Sequence, residues 1–184
     1  MNYQLFELLN RDAGRFDGLD DVMEFTASWL IFGVFAVAAV LVARALWRRR
    51  VRPVVELGVT LVLAFLVSTL VTRFSTQLRP FQNHHVHQLI PHGPGVSLPS
   101  DHATAAFAVA FGIGLFLDRR WGILLTVAAL AIGVARVWAG VHYPGDVAAG
   151  AVIAGLAAAA VLAWSRWRSL RSRAADPAGL RGSR

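Results

Sequence analysis

Five long apolar runs dominate the 184-residue sequence and predict a membrane-embedded helix bundle. The runs cover residues 25–47, 54–72, 102–117, 122–138 and 146–165. A helix that crosses a bilayer needs about 20 mostly apolar residues, so the third and fourth runs must extend into their neighbouring loops. Because every backbone polar group inside a bilayer needs an internal partner, such runs form helices. The sequence therefore predicts an all-α, polytopic bundle of five transmembrane helices.

The composition supports this class and excludes several others. Apolar residues make up 56% of the chain, and the absence of cysteine excludes disulfides and thiolate metal sites. The net charge of +7 comes from arginine alone, because the 18 basic residues include no lysine. Arginines beside apolar spans are topology signals, and no basic groove with interleaved aromatic residues accompanies them. We expect contact with membrane lipid and no nucleic-acid partner, while the oligomeric state is left open.

The arginines fall mainly on one side of the predicted membrane. Five lie between the first and second spans, two between the third and fourth, and six after the fifth. The positive-inside rule makes these segments cytoplasmic. The acidic N-terminus and the loops 73–101 and 139–145 then lie outside. This predicts a multi-pass plasma-membrane protein with a cytoplasmic C-terminus.

The two ends of the chain carry predictions of their own. Residues 3–16 are predicted to form an amphipathic helix on the outer surface. Its lipid-facing side chains would be Leu5, Phe6, Leu8, Leu9 and Phe16. The alternative is a helix packed against the bundle. The composition of residues 169–184 predicts a disordered basic tail, which follows a single membrane domain at residues 1–168.

Residues that can bind phosphate are concentrated in the two outer loops and at the adjoining span ends. Charged groups near an apolar span are costly unless paired or solvated, so such a cluster indicates a functional site. Ser100 follows a proline and is a natural N-cap for the apolar helix that begins near residue 102. The unpaired first amides and the dipole of that helix favour an anion. Together with His102, Ser100 and these first amides predict a phosphate-binding site. The alternative is that Ser100 only caps the helix.

A second group combines a histidine with a carboxylate and an arginine. Asp146, four residues after His142, can hold one ring nitrogen and leave the other free to attack, as in an activated nucleophile. Arg136 closes an apolar run and is predicted to point inward. Arg79 and Arg73 offer planar forks for phosphate oxygens, with anchoring to lipid headgroups as the alternative. Each motif is weak alone, but all of them fall on the outer face.

In this order the motifs resemble the type-2 phosphatidic acid phosphatase (PAP2) superfamily, which also includes vanadium haloperoxidases. The stretches 79–102 and 136–146 are most similar to bacterial undecaprenyl-diphosphate phosphatases of the bacitracin-resistance type. Three positions depart from the family pattern. Thr72 stands in place of the usual first-motif lysine, with Arg73 beside it as the expected substitute. Asp101 replaces a glycine, and Ala135 replaces a serine.

The resemblance implies a bacterial membrane hydrolase that converts undecaprenyl diphosphate to the monophosphate. His142, oriented by Asp146, would form a phosphohistidine, while His102 would protonate the leaving oxygen and then activate water. The residues implied to bind the phosphoryl oxygens are Arg73, Arg79, Ser100, Asp101 and Arg136. No metal or other cofactor is expected.

Two alternatives belong beside this interpretation. A phosphatidylglycerophosphate or phosphatidate phosphatase is the alternative within the same class, so the expected substrate is a polyprenyl or glycerolipid phosphate. A histidine-rich metal-binding or transport protein is the alternative from a different class, because neutral imidazoles can bind zinc. Its candidate ligands are His84, His85, His87 and His92.

Overall fold

The computed structural model describes residues 2–175, and within them the chain forms eight helices and no extended strand. The helices are α1 (Asn2–Asn10), α2 (Asp17–Ser28), α3 (Leu30–Trp47), α4 (Val51–Phe74), α5 (Pro80–Asn83), α6 (Asp101–Gly112), α7 (Arg119–Trp138) and α8 (Pro144–Ala175). A π-helical turn, Ile113–Leu117, extends α6 toward α7. The prediction of an all-α protein is confirmed.

Four of these helices, α3, α4, α7 and α8, are long and apolar enough to cross a membrane. The fifth apolar element, Asp101–Leu117, is shorter than a strict span, so the predicted count of five spans is not confirmed. The first predicted span, 25–47, is also divided. It contains the end of α2, and α3 begins only at Leu30.

The short helix α6 lies at the centre of the bundle, where α3, α4, α7 and α8 all pack against it. Phe107, Ala108 and Val109 follow one another and therefore point to different sides of the helix, yet each is at most 3% exposed. A helix that is apolar all round is buried, and this one is surrounded by protein rather than lipid. In contrast, α3 and α4 expose large apolar side chains such as Phe35 and Phe65 on their outer faces, as lipid-facing helices do.

Glycines allow α6 to approach its neighbours closely. A Cβ atom on Gly122 of α7 would lie 2.2 Å from the Cα atom of Gly114. A Cβ atom on Gly150 of α8 would lie 2.8 Å from the Thr104 hydroxyl and 2.9 Å from the Thr104 amide nitrogen of α6. Any side chain at Gly150 would therefore push α6 and α8 apart.

The N-terminal helix α1 packs against the bundle rather than lying free on a surface. Phe6 is only 1% exposed, and its ring meets that of Tyr143 edge-on at a centroid distance of 5.6 Å. Leu5 and Leu8 point outward, but Leu9 also packs beside this cluster. The prediction that Phe6 and Leu9 face lipid is therefore wrong. These two side chains pack against the protein, and Leu5 and Leu8 form the outward face of α1.

The long connection between α5 and α6 is fastened by one asparagine. The Asn10 amide donates to the carbonyl oxygens of His87, at 2.8 Å, and Trp138, at 2.7 Å. The His87 amide donates back to the Asn10 side chain at 3.0 Å. α1 thereby ties this connection to the end of α7.

At the other end of the chain, α8 continues to Ala175. The tail predicted to be disordered from residue 169 is therefore helical for its first turns, because the helix does not end with its apolar run. Residues 176–184 lie outside the described part of the chain, and so does the remainder of that prediction.

Candidate active site

The predicted phosphate-binding residues converge at one end of the bundle. Arg79 follows α4, Ser100 precedes α6, and His142 and Asp146 lie where α7 gives way to α8. Hydrogen bonds join these separate elements: the Ser100 amide donates to the Asp146 carbonyl at 3.2 Å, and the Arg79 guanidinium donates to the Val141 carbonyl at 3.3 Å. The arginine-rich turn between α3 and α4 lies at the opposite end.

His142 is held in one orientation by acceptors around its Nδ1 atom. This atom lies 3.0 Å from the carbonyl oxygen of Ser97 and 3.4 Å from the carboxylate of Asp146. The other nitrogen, Nε2, lies 3.1 Å from the Arg79 Nη1 atom. Since a guanidinium only donates, the lone pair is assigned to Nε2 and the hydrogen to Nδ1. This is the tautomer that a nucleophilic histidine needs.

The buried Asp146 carboxylate is surrounded by donors. It accepts hydrogen bonds from the Ser97 hydroxyl, from the Tyr143 amide at 2.8 Å and from the Gln77 side chain at 2.8 Å. Ser97 and Gln77 were not among the residues singled out from the sequence. They lie in connecting segments, and their roles depend on contacts 49 and 69 residues away along the chain.

The surroundings of His142 keep its ring neutral. Burial lowers the pKa of His142, and the positive charges of Arg136 and Arg79 lower it further. The hydrogen bond and the negative charge of Asp146 act in the opposite direction without reversing the shift. The His142 ring therefore stays neutral, with a free Nε2 lone pair, at pH values well below the usual pKa of histidine.

Arg136 is a buried cation with unfilled hydrogen-bonding capacity. The side chain is 3% exposed, and its one recorded hydrogen bond, to the carbonyl oxygen of Ala27, is long at 3.5 Å. Within the described residues, its Nε and Nη2 atoms have no partner, and neither do Nε of Arg79 and the Ser100 hydroxyl. Buried donors without partners destabilise a fold, and guanidinium groups bind phosphate strongly. These atoms are the expected contacts of an anion.

The beginning of α6 adds backbone donors to this set. The first recorded backbone hydrogen bond of α6 runs from the Thr104 amide to the Ser100 carbonyl, so the amides before it lack intrahelical acceptors. Ser100 occupies the predicted N-cap position, but its hydroxyl makes no capping hydrogen bond. The hydroxyl is therefore free to contact a ligand.

His102 and Asp101 complete the cluster. Both belong to the first turn of α6, directly after Ser100, whose amide donates to the Asp146 carbonyl. Asp101 is exposed, and its negative charge acts on both arginines. The beginning of α6 thus places a histidine and an exposed carboxylate next to the residues that surround His142.

Arg73 is the remaining arginine predicted to bind phosphate. It is exposed near the end of α4, next to Thr72. No hydrogen bond or ion pair within the described residues connects it to the histidines. The role of Arg73 in binding phosphate therefore stays a prediction.

The four loop histidines make separate contacts. His84 stacks on Tyr3, His85 is exposed, and the backbone of His87 is bound by Asn10. Only His92 reaches the cluster, where its ring meets that of His142. Among residues 2–175, no group of three or more histidine, cysteine or acidic side chains is arranged around a metal position.

An apolar groove of about 380 Å³ opens beside the cluster between α3, α4 and α6. Asp101 and Thr104 line one part of it, and Phe35, Leu61 and Phe65 line another. The α3–α4–α6 groove is therefore continuous with the beginning of the helix that carries His102.

Comparison with known proteins identifies relatives over most of the chain. The family model described as the PAP2 superfamily matches residues 53–170. Undecaprenyl-diphosphatase BcrC of Bacillus subtilis (strain 168) is 34% identical over 158 residues, covering 84% of this chain and 79% of the relative. The putative undecaprenyl-diphosphatase YbjG of Escherichia coli (strain K12) is 32% identical, covering 85% of this chain and 78% of the relative.

Solved structures have the same helical arrangement. LpxE of Aquifex aeolicus superposes with a TM-score of 0.72 at 26% identity, covering 88% of this chain and 94% of that one. A PAP2-type phosphatidylglycerolphosphate phosphatase of Bacillus subtilis superposes with a TM-score of 0.68, covering 89% of this chain and 86% of that one. At 19% identity the second likeness concerns the fold alone.

Proposed function

Because the chain belongs to the PAP2 superfamily and is a phosphatase of that family, we propose that it hydrolyses undecaprenyl diphosphate to the monophosphate at the site around His142. The observation that carries the proposal is the contact at 3.1 Å between His142 Nε2 and Arg79, at a site where Arg79, Arg136 and Ser100 have buried donors without partners among the described residues. A bound phosphoryl group would fill those donors and lie within reach of the nucleophile.

The choice of substrate is supported by the relatives and by the shape of the protein. Relatives from Bacillus subtilis and Sulfolobus acidocaldarius carry the name undecaprenyl-diphosphatase. The α3–α4–α6 groove gives an apolar tail a place beside the cluster while the head reaches His142. The alternative within the class is a phosphatidylglycerophosphate or phosphatidate phosphatase, whose substrates share the same phosphate chemistry.

In the first step, the Nε2 lone pair of His142 attacks the terminal phosphorus. The phosphorus–nitrogen bond forms as the bond to the leaving oxygen breaks, and the departing monophosphate takes the bonding electrons with it. Arg79, now 3.1 Å from Nε2, moves its donors to the phosphoryl oxygens as the substrate enters. Arg136, Ser100 and the amides of α6 stabilise the charge that develops there.

His102 handles the protons of both steps. It donates a proton to the leaving oxygen in the first step and accepts one from water in the second. The water oxygen attacks the phosphohistidine, the phosphorus–nitrogen bond breaks, and inorganic phosphate departs. His142 and His102 return to their starting states, so none of these steps requires a metal ion.

The arginine distribution supports an orientation with the site outside the cytoplasm. The turn Arg48–Arg50 lies at the opposite end of the bundle from His142, and the positive-inside rule assigns that end to the cytoplasm. Labelling of a cysteine introduced at exposed His85 by an impermeant thiol reagent in intact cells tests this orientation. Labelling only after lysis would overturn it.

Phosphate release from a panel of lipids tests the activity. The purified full-length chain is assayed with undecaprenyl diphosphate, phosphatidylglycerophosphate and phosphatidate. We expect the highest kcat/KM for the first, and a preference for either glycerolipid would favour the alternative. The variant His142→Ala should lose phosphate release, whereas His85→Ala, an exposed histidine outside the cluster, should keep it.

Trapping of the intermediate tests the nucleophile independently. Rapid quenching with labelled substrate should yield a phosphoprotein that is stable in base and labile in acid, as a phosphohistidine is. Its absence in His142→Ala, with retention of the folded state in detergent, would support the assignment. A labelled His142→Ala protein would overturn it.

A further inference from the structure

His92 is a third histidine of the active site, and the family motifs do not explain it. It lies in the connection before α6, and its ring meets that of His142 edge-on, with a centroid distance of 6.1 Å and an interplanar angle of 83°. Its Nδ1 atom is 3.2 Å from the carbonyl oxygen of Gly93. The ring is thus held by the backbone next to it, with its other nitrogen available.

We propose that His92 binds the inner phosphate of a diphosphate substrate and makes the enzyme prefer diphosphates to monophosphates. The inner phosphate is the one that joins the terminal phosphoryl group to the lipid. This inference rests on the proposed function. It gives the inner phosphate a contact of its own, in addition to the contacts that the motif residues make with the terminal phosphoryl group.

The terminal phosphoryl group already has its own donors. The unpaired atoms of Arg136, Arg79 and Ser100, together with the first amides of α6, outnumber the three non-bridging oxygens of such a group. These donors lie in the buried part of the cluster, where His142 is only 2% exposed. His92 is not needed there.

The location of His92 matches the leaving side of the substrate. His92 is half-buried, so its ring lies between the buried cluster and the exterior. The connection that carries His92 leads into α6, whose second residue is His102, the proposed donor to the leaving oxygen. In a diphosphate that oxygen belongs to the inner phosphate, so a group whose ring meets that of His142 is well placed to contact it.

The charges around His92 fit a substrate-dependent contact. Burial lowers the pKa of His92, the charges of Arg79 and Arg136 lower it further, and Asp101 and the Gly93 carbonyl act in the opposite direction. A diphosphate carries more negative charge than a monophosphate ester and offsets the two arginines more fully. The protonated ring then donates from Nδ1 to Gly93 and from Nε2 to the inner phosphate.

The test compares two substrates with the same lipid tail. We would measure kcat/KM for farnesyl diphosphate and farnesyl phosphate with the full-length wild-type protein, His92→Ala, His92→Gln and the control His85→Ala. A hydrogen bond to a charged group contributes enough for roughly a 10- to 100-fold effect. His92→Ala should lose about that factor for the diphosphate and less than about threefold for the monophosphate.

The conservative variant and an inhibition assay keep the test decisive. His92→Gln retains a donor and should recover part of the loss with the diphosphate only. If the monophosphate is bound without turnover, its inhibition constant replaces kcat/KM in the comparison. Equal losses with both substrates, or an unchanged ratio, would overturn the role of His92. A wild-type protein that releases no phosphate from any lipid would instead overturn the proposed function.

Discussion

The Nδ1 atom of His142 lies 3.0 Å from the carbonyl oxygen of Ser97 and 3.4 Å from the carboxylate of Asp146. The Ser97 carbonyl is thus the nearer acceptor of the two, whereas the sequence spacing predicts only Asp146 as the partner of His142. Both acceptors favour the same tautomer. Asp146 in turn accepts from the side chains of Ser97 and Gln77, so the nucleophile rests on a small buried network.

This shared support predicts a moderate effect of Asp146→Asn. The Ser97 carbonyl still holds the hydrogen on Nδ1, so kcat should fall by about 10- to 100-fold, the effect of losing one hydrogen bond to a charged group. In a triad that depends on its aspartate the same change costs about 10⁴-fold. The control Ser97→Ala removes only the hydroxyl and should lose less than about tenfold. A 10⁴-fold loss for Asp146→Asn would show that the carbonyl does not fix the tautomer.

Arg136→Met separates the catalytic role of Arg136 from its structural cost. Removing its donors should lower kcat/KM by roughly 10²- to 10³-fold, the usual effect of losing one transition-state donor. Since the buried guanidinium has unpaired atoms in the described structure, an apolar side chain of similar length should leave the melting temperature unchanged or raise it. Phosphate-release assays and thermal unfolding in detergent measure both effects.

The control for this variant is Arg52→Met, at the opposite end of the bundle. The exposed Arg52 side chain pairs with the half-buried Glu56 carboxylate at 2.9 Å, far from His142, so its loss should leave phosphate release unchanged. Clear destabilisation by Arg136→Met, with activity scaling with the folded fraction, would show that Arg136 is structural.

Sequence reasoning identified the end of the bundle where the polar residues meet, because motif spacing and helix alternation are local properties. It also identified the beginning of α6, where a proline and a serine precede an apolar run. It missed Ser97 and Gln77, since nothing in a connecting segment shows that it folds back on a residue 49 or 69 positions away. The spacing of motif residues along the sequence does not reveal tertiary contacts of this kind.

One other prediction was wrong for a physical reason as well. Periodicity in α1 defines apolar positions but not which of them meet protein, so Phe6 was assigned to lipid although it packs on Tyr143. Arg73 is rotated by about 100° from Thr72 on the helix and is exposed near the end of α4, so its role in place of the usual lysine stays a prediction. Helix orientation about its own axis depends on packing, which the sequence alone does not specify.

The lowered pKa of His142 predicts the acid side of the pH profile. The neutral ring is the reactive form, and a lowered pKa keeps it neutral to more acidic pH. The acid limb of kcat/KM should therefore lie below the ordinary histidine value of 6.5. Because the positive charge of Arg79 contributes to the shift, Arg79→Gln should move this limb to higher pH while lowering the maximum rate.

Titration of nitrogen-15-labelled histidine by NMR checks the assignment without turnover. The resonance that disappears in His142→Ala should titrate below 6.5 in the wild-type protein and at a higher pH in Arg79→Gln. Arg48→Gln, in the turn at the far end of the bundle, is the matched control and should not move it. An unshifted His142 resonance in Arg79→Gln would contradict the electrostatic contribution of Arg79.

The close approach of α6 and α8 predicts that Gly150→Ala reduces both stability and activity. The new Cβ atom would meet the Thr104 amide nitrogen at 2.9 Å, so the helix carrying His102 must move relative to the helix carrying Asp146. At Gly155, one and a half turns further along α8, the nearest atom would be 3.8 Å away in ordinary contact with Phe111. Gly155→Ala should therefore gain up to about 1 kcal/mol from helix propensity and keep full phosphate release. Thermal unfolding and kcat are measured for both variants. Equal melting temperatures and equal kcat values in Gly150→Ala and Gly155→Ala would mean that the distance between α6 and α8 does not set the geometry of the site.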